Sequence, residues 1–410
     1  MTRTDSRPDG NSDVAQGIGN MTHPRIPDSE YPLRWARLQE AMASADLDLV
    51  LAYADDHAVA GPAHARWLAD FAPHFEPVCI LVPAEGSPAL LSGPETETFA
   101  LRTARISEVR VIREFTHPDE EYPYTTLVGL RDILREAGGQ NGRRIQRIGL
   151  AGLELMPVKV FQAVEQAQQQ ALAGAELVDA ESLLTSLRAV KSAAEIEVIR
   201  YAYRLAQAGI EAAVAAVCEG VTERAVAAAA EHAMRSLGSE GMGIDTIVAS
   251  GPNNRPILAR AGFRLLRRDE LVLLTIAPRY EGYHAALGLP LALGRLADDV
   301  RRAMAVALEA QHAAAQAMQP GRPGSEVEGA ARQIVEAADL GPNFLYSGVH
   351  SIGVIEFEPP IFGPNNHNPL QTGMVLSVDV PLFHTPWGGL RYECGYLVTP
   401  DGAEPLASLP

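Results

Sequence analysis

The chain has 410 residues, of which 47% are hydrophobic and 21% are charged, the balance of a globular protein with two or three domains. Its 51 acidic and 34 basic residues give a formal net charge of −17, which argues against nucleic acid and anionic membrane surfaces as partners, because both attract basic proteins. No run of 18 apolar residues is present, so the sequence predicts no membrane span.

The start of the chain and its cysteines bear on where the protein resides. Residues 1–27 are rich in Asp, Ser, Gly, Asn and Arg, and they predict a disordered tail rather than a signal peptide or an anchor. Cys79, Cys218 and Cys394 are widely separated and form no CxxC pair. Because a sparse, odd set of cysteines is no disulfide framework, we expect a reduced, cytoplasmic protein.

Residues 28–185 alternate between helical and extended patterns. Apolar residues at helical spacing in 34–43 are followed by a strand-like run at 48–52. The segments 78–83 and 88–91 flank a short turn and predict a hairpin. This alternation is typical of an α/β domain, and we find no catalytic grouping of side chains in it.

Residues 186–410 form the second predicted domain. Ser192 and Glu195 make a Ser-x-x-Glu capping box, which predicts the start of a long helix. Two helices, strands, two further helices and further strands follow in that order, which suggests an internal duplication. The stretch 271–288 has the pattern of two strands joined by a turn, and 374–379 and 391–398 are predicted strands.

Several segments of the chain resemble the aminopeptidase P, prolidase and creatinase family. The resemblance is carried by LRAVKSAAEIEVIR at 187–200, TIVASGPN at 246–253, GMVLSVD at 373–379 and GGLRYE at 388–393. It covers about residues 30–407. It implies an α/β creatinase-like N-terminal domain, an α+β pita-bread catalytic domain and a homodimer.

The resemblance also implies a degenerate metal site. Peptidases of this family hold two metal ions with two aspartates, a histidine and two glutamates. The histidine falls on His350 and the glutamates on Asp379 and Glu393, whereas the aspartates fall on Thr275 and Ala286. Two adjacent cations need bridging anionic oxygens, so we expect no dinuclear centre and prefer a site without any cofactor. A single divalent metal on His350, Asp379 and Glu393 is the alternative.

Two further positions depart from the family. A family histidine falls on Phe357, and a substrate-facing one falls near Leu258. Creatinase, the family's metal-free example, has an alanine at the position of Ala286 but a glutamate where this chain has Gly288. Creatine is therefore a poor substrate candidate.

The candidate catalytic residues are His350, Asp379 and Glu393. We predict His350 as the acid/base, because a neighbouring carboxylate orients an imidazole and raises its pKa. The alternative is a leftover ligand hydrogen-bonded in the core. Cys394 alternates with Glu393 along a strand, so we place the thiol on the opposite face, in the core.

Substrate-binding candidates surround these residues. Glu356 and Glu358 are two apart in an extended segment and are predicted to share a face, where they would bind a cationic group; a solvated acidic loop is the alternative. The other candidates are Thr275, His384 and Arg391, with β propensity and an ion pair as structural explanations for Thr275 and Arg391. Three histidines could replace a lost one, although an exposed structural role fits each alone: His284, His367 and His384.

These observations favour a hydrolase or lyase that acts on a C–N bond of a small amino-acid-like, amide or guanidino-like substrate without a dinuclear metal centre. One alternative is a mononuclear Xaa-Pro peptidase. Another is a non-catalytic module that binds a peptide or other ligand. Fold likeness alone does not choose among them.

Overall fold

The computed structural model describes residues 23–139 and 144–409. The first half contains the strands β1 Leu49–Ala54, β2 Val78–Pro83, β3 Ala89–Ser92, β4 Glu108–Val111, β5 Arg147–Ala151 and β6 Glu176–Asp179. Its helices are α1 Glu30–Ser44, α2 Ala63–Ala69, α3 Glu97–Thr103, α4 Leu130–Gly139, α5 Val158–Ala171 and α6 Glu181–Ala189. The α/β alternation predicted for this half is therefore present.

The strands of the first half form one mixed sheet in the order β4-β3-β2-β1-β5-β6. Strand β1, LVLAYA, lies at its centre and is buried along its whole length, as expected of a continuous apolar run. Strands β2 and β3 pair antiparallel with Val78 opposite Ser92, which confirms the predicted hairpin.

The predicted disordered tail is partly ordered. Residues 1–22 lie outside the described residues, but residues 23–27 pack against the rest of the protein. Ile26 is buried, and the hydroxyl of Tyr280 donates a hydrogen bond to the Pro24 carbonyl, 3.1 Å away. The buried Ile26 side chain and the hydrogen bond to Pro24 hold this segment, contacts that composition alone did not indicate.

The second half contains the helices α7 Ala193–Ala216, α8 Glu223–Ser236, α9 Asp298–Ala317 and α10 Gly324–Ala337. Its strands are β7 Gly241–Met242, β8 Ile247–Ser250, β9 Glu270–Ile276, β10 Pro278–Tyr280, β11 Tyr283–His284, β12 Leu287–Leu293, β13 Val349–Ser351, β14 Glu358–Phe362, β15 Val375–Thr385, β16 Gly388–Thr399 and β17 Gly402–Pro405. Two helix pairs alternate with strands, in the predicted order.

The large sheet of the second half runs in the order β14-β13-β15-β16-β12-β9-β8, and β17 pairs with β16. Helix α9 packs on β15 and β16. It does so through a face of small and apolar residues at helical spacing: Val300, Ala303, Ala307, Ala310 and Ala314. Helix α7 starts at the predicted capping box, in which Ser192 Oγ accepts from the Glu195 amide and Glu195 Oε2 accepts from the Ser192 amide.

One row of side chains on this sheet organises the candidate site. Thr275 on β9 lies opposite Gly288 on β12, Gly288 lies opposite Glu393 on β16, and Glu393 lies opposite Asp379 on β15. Directly opposed residues of antiparallel strands point to the same face, so these four positions, here called the site row, share one surface.

The two halves are joined through buried polar contacts. Helix α6 runs unbroken across the boundary predicted between residues 185 and 186. Glu195 Oε1 accepts hydrogen bonds from Trp67 Nε1 at 3.2 Å and from Tyr283 Oη at 2.8 Å, and it lies 3.4 Å from an amino group of Arg34. In the part of the chain that the structure describes, no helix is long and apolar enough to cross a membrane.

Candidate active site

The three predicted catalytic residues come together on the face of the site row. Strand β13 pairs with β15 so that His350 lies opposite Ser377, two residues before Asp379. His350 Nε2 is 3.8 Å from Glu393 Oε1, and the Ser377 hydroxyl donates to that same oxygen at 2.9 Å. All four side chains are buried, so the cluster is withdrawn from bulk water.

His350 has a defined tautomer. Its Nδ1 lies 3.0 Å from the Ser351 carbonyl, which can only accept, so Nδ1 carries the proton and Nε2 is the free lone pair. Burial lowers the pKa of His350 to about 4, which the hydrogen bond to Ser351 offsets only in part. The prediction that a neighbouring carboxylate would raise this pKa is therefore wrong. Desolvation outweighs the neighbour, whose own charge is suppressed by burial.

The carboxyl groups of the cluster are buried close to one another, and both conditions disfavour their ionised forms. Burial raises the pKa of Glu393 well above its ordinary value, and the nearby Asp379 and Glu356 raise it further. Burial also raises the pKa of Glu356, to about 7, and that of Asp379. Arg391 lowers all three, without cancelling the effect of burial. Burial therefore favours the protonated forms of these carboxyl groups.

Arg391 is paired inside the cluster. Its Nε lies 3.4 Å from Asp379 Oδ1, and its Nη2 donates to the hydroxyl of Tyr346 at 2.6 Å. Tyr346 in turn donates to Asp379 Oδ2. This Asp379–Arg391 ion pair is the structural alternative weighed for Arg391. Tyr346 was missed by sequence reasoning, because a loop tyrosine four residues before His350 carries no signal of its own.

The two positions of the missing aspartates are fully buried. Thr275 lies in the site row and its hydroxyl has no hydrogen-bond partner among the described residues. Ala286 precedes β12, and its backbone amide faces the phenol of Tyr203. Burial raises the pKa of Tyr203, and this contact lowers it in part. A Cβ at Gly395 would lie 1.9 Å from the Tyr203 hydroxyl, so the phenol fills space above the sheet.

Glu356 and Glu358 do not share an environment, contrary to the prediction. The segment before β14 is irregular, and the strand begins only at Glu358, so two-residue alternation does not apply. Glu358 turns away from the cluster and lies 3.4 Å from both Lys191 Nζ and Arg188 Nε. Of the two, Glu356 is the one whose pKa responds to the charges of Arg391 and Asp379. Of this pair, only Glu356 is a candidate for the site.

The three other candidate histidines differ in their exposure to solvent. His384 is exposed near the end of β15, where the pairing with β16 is irregular, and it has a positive φ of 57°. His367 is exposed and bonds Ser325 through Nδ1 at 2.8 Å. His284 is fully buried, with Nδ1 3.2 Å from the Gly353 carbonyl and Nε2 unpartnered among the described residues.

A cleft of about 430 Å³ opens between a loop of the first half and the strands of the second half. Most of its lining is apolar: Ala58, Val59, Met242, Ile244, Ile247, Leu258 and Ala259, with Gly243, Asp245 and Arg260. A Cβ at Gly243 would touch His284 and lie 3.4 Å from the Cβ of Glu356, so this wall of the cleft backs onto the buried cluster.

Comparison with known proteins identifies the family. Two family models match, the Creatinase/Prolidase N-terminal domain at 34–190 and Metallopeptidase family M24 at 197–400. The Xaa-Pro dipeptidase of Pyrococcus furiosus is 30% identical over 226 residues, 55% of this chain and 65% of that protein. A Bacillus subtilis relative is 30% identical over 242 residues, 59% of this chain and 67% of its own length. The chain belongs to metallopeptidase family M24.

The fold of this M24 protein agrees with solved relatives. The prolidase of Pyrococcus horikoshii matches it with a TM-score of 0.78 at 22% identity, covering 92% of this chain and 98% of that one. The predicted creatinase-type N-terminal domain and pita-bread C-terminal domain are thereby confirmed. By sequence, however, the chain spans less than two thirds of the Pyrococcus furiosus enzyme, 65% of its length.

The side chains of this M24 member do not fit the two metal ions of the family. The hydroxyl of Thr275 and the methyl group of Ala286 offer no anionic oxygen to bridge two cations. Within 23–139 and 144–409, no three His, Cys, Asp or Glu side chains converge as metal ligands would. His350 points its Nε2 at Glu393, and Asp379 already pairs with Arg391.

Proposed function

We propose that this M24 protein hydrolyses a C–N bond in a small amide or dipeptide-like molecule by acid–base catalysis rather than through a dinuclear metal centre. The observation that carries the proposal is the buried pair of His350 Nε2 and Glu393 Oε1, 3.8 Å apart. Hydrolysis of an amide needs a base for the attacking water and an acid for the leaving nitrogen, and this pair supplies one of each.

The base of the proposed mechanism is neutral His350. Its Nδ1–H is held by the Ser351 carbonyl, so Nε2 is free to take a proton from water as the oxygen attacks the carbonyl carbon. The separation of 3.8 Å from Glu393 is long for a hydrogen bond, but such contacts tighten when substrate binds.

The acid of the proposed mechanism is Glu393. Burial raises the pKa of its carboxyl group well above the ordinary value, which favours the protonated form, and the Ser377 hydroxyl orients the group. When the C–N bond breaks, Glu393 gives its proton to the leaving nitrogen, and His350 then returns the proton taken from water to Glu393. The Arg391 guanidinium, fixed by Asp379 and Tyr346, provides positive charge where the substrate oxygen becomes negative.

The cleft supports a substrate with one apolar side group. Its lining is largely aliphatic, and Leu258 stands there at the position near which the family resemblance expects a histidine. Burial of an apolar group stabilises binding by about 25 cal/mol per Å², whereas a charged group would lose hydration in it. Dipeptides and N-acyl amino acids with an aliphatic residue are therefore the first substrates to assay.

The test is an assay of the full chain in chelator-treated buffer. The panel comprises aliphatic Xaa-Pro dipeptides, N-acyl amino acids, small amides and guanidino acids, each with EDTA and with added Mn²⁺. We expect turnover that survives EDTA, a loss of about 10²–10⁴-fold in H350A, and no change in the exposed control H367A. Turnover only with Mn²⁺ would favour the metal-dependent Xaa-Pro peptidase, and no turnover of any class would favour a ligand-binding module.

We also propose a cytoplasmic homodimer. Cys79, Cys218 and Cys394 are all free, which suits a reducing compartment. The loop after β8 exposes the large apolar residues Leu258 and Phe263, whose burial against a second copy would lower the free energy of the pair. Light scattering of the purified chain tests the dimer: a mass of one chain would contradict it.

A further inference from the structure

His284 presents an unpaired acceptor atom inside the protein. Its backbone amide donates to the Gly353 carbonyl at 2.8 Å, and its Nδ1 lies 3.2 Å from the same oxygen. A carbonyl oxygen can only accept, so Nδ1 carries the proton and Nε2 keeps its lone pair. The ring is fully buried, and Nε2 has no hydrogen-bond partner among the described residues. Because buried polar atoms are nearly always paired, this acceptor is suited to a donor that a ligand brings.

Gly243 brings the imidazole of His284 to the wall of the aliphatic cleft. Gly243 is one of the residues that line this cleft of about 430 Å³. An ideal Cβ at Gly243 would lie 2.3 Å from His284 Cδ2 and 2.8 Å from His284 Nε2. Any side chain at 243 would therefore overlap the ring. Glycine lets the imidazole approach the cleft wall with the edge that carries Nε2.

The surroundings of this acceptor favour an uncharged donor. Burial lowers the pKa of His284 to about 4, and the charge of Arg279 lowers it further, so the imidazole is neutral at neutral pH. The two charged residues of the cleft, Asp245 and Arg260, pair with each other at 2.8 Å. The rest of the lining is largely aliphatic, where a charged group would lose its hydration. An amide N–H is a donor that carries no charge.

We infer that His284 is a specificity-determining residue of the cleft, whose Nε2 accepts a hydrogen bond from an amide N–H of the bound molecule. The inference rests on the proposed function and deepens it, since it narrows the substrate class to primary and secondary amides with an aliphatic body. Tertiary amides have no N–H and should bind more weakly, because they leave the buried acceptor unpaired.

The test measures binding to the full chain and needs no turnover. Three probes share an isobutyryl body that suits the aliphatic lining. Isobutyramide and N-methylisobutyramide carry an N–H, whereas N,N-dimethylisobutyramide carries none. We expect the first two to bind about three- to tenfold more tightly than the third, the range that one hydrogen bond supplies. Titrations followed by ligand-observed NMR give the three dissociation constants, and N-methylisobutyramide separates the effect of the donor from that of size.

The ¹⁵N signal of His284 Nε2 reports the contact directly. In histidine-labelled protein, isobutyramide should shift this signal and N,N-dimethylisobutyramide should not, because only the former donates a hydrogen bond. H284N assigns the signal by its loss. This variant keeps an amide donor for the Gly353 carbonyl but lacks Nε2, so it should bind the three probes with equal affinity. H312N, at an exposed position of α9, should keep the discrimination of the wild type.

Equal affinity of the wild type for all three probes would overturn the inference, and so would a failure of isobutyramide to bind at the limit of its solubility. A preference that persists in H284N would overturn it as well, because another residue would then accept the N–H. If H284N does not fold, the wild-type affinities and the ¹⁵N shift decide. Absence of turnover on every class of substrate would contradict the proposed function and leave these binding results unchanged.

Discussion

Lys191 and Glu358 form an ion pair that is almost completely buried, with Nζ 3.4 Å from Oε1. Lys191 Nζ also donates to the Ser351 hydroxyl at 2.7 Å. Ser351 directly follows His350, and Glu358 begins β14 two residues after Glu356. One ammonium group thus ties together the two ends of the irregular loop 352–357, which carries Glu356 into the active site.

Removing this ammonium group should destabilise the fold strongly. K191M leaves Glu358 buried with only Arg188 as a partner, and breaking a buried ion pair from one side costs about 3–5 kcal/mol. Urea unfolding at pH 7 measures the loss. The exposed Lys159 on α5 provides the matched control, and K159M should change the free energy of unfolding by no more than about 0.5 kcal/mol. A loss below about 1 kcal/mol in K191M would contradict a structural role for the pair.

Glu356 should make the protein less stable as pH rises. Its pKa is raised from 4.5 to about 7 in the folded protein, chiefly by burial. Between those values the folded state binds more protons than the unfolded state, so the free energy of unfolding falls as pH increases from 4.5 to 7. At about 1.4 kcal/mol per unit of pKa, this costs about 3 kcal/mol at pH 8.

The variant E356Q removes that titration. Its stability relative to wild type should therefore improve by about 3 kcal/mol between pH 4.5 and pH 8, measured by urea unfolding at several pH values. E154Q, at an exposed position, should track the wild type throughout. Parallel curves for E356Q and wild type would mean that Glu356 is solvated in the native protein.

His284 should act in the opposite sense and at lower pH. Burial lowers its pKa from 6.5 to about 4. Between those values the unfolded state binds more protons, so His284 makes the free energy of unfolding rise with pH from 4 to 6.5. H284N keeps an amide donor for the Gly353 carbonyl but cannot titrate, and its stability relative to wild type should improve by about 3 kcal/mol between pH 6.5 and 4.

The measurement is again urea unfolding across that pH window, with the exposed His312 as control. H312N, at an exposed position of α9, should leave the pH dependence of wild type unchanged. If H284N and wild type lose stability equally on acidification, protonated His284 must find a partner or water in the folded state.

The fold could be predicted from the sequence more completely than the site could. Local signals predicted the capping box of Ser192 and Glu195 and the hairpin of β2 and β3, because both depend on neighbouring residues. Successive side chains along β16 point to opposite faces of the sheet. The sequence therefore also predicted that Cys394 would lie on the opposite face from Glu393. It is buried beside α9, among the residues Leu308, Gln311 and His312 of that helix.

The remaining features depend on contacts between distant segments. Whether Arg391 turns to Asp379 is decided by space over Gly288, 103 positions away in the chain, and by Tyr346 from another loop. The pKa of His350 depends on how completely its surroundings exclude water, which a sequence pattern does not reveal. Glu358 was predicted to share a face with Glu356 because the two are two residues apart, but its partners Arg188 and Lys191 come from the boundary between the domains, which a local pattern does not reveal.

Gly288 tests the packing of the buried Arg391 side chain. In G288A the new methyl group would meet Arg391 Cγ at 2.7 Å and Glu393 Cβ at 2.9 Å. Both neighbours are buried, so relief requires the arginine stem to leave the site row. Overpacking of this kind costs about 1–3 kcal/mol, and we expect urea unfolding to register a loss in that range.

The matched control for this substitution is Gly329 on α10, where an added Cβ meets no atom within 4 Å. A glycine inside a helix is less favourable than alanine, so G329A should raise the free energy of unfolding by about 0.5–1 kcal/mol. The same exchange of hydrogen for methyl would thus change stability in opposite directions at the two sites. A G288A protein as stable as wild type would mean that Arg391 moves aside freely, and its guanidinium would then be too loosely held to supply the fixed positive charge of the proposed mechanism.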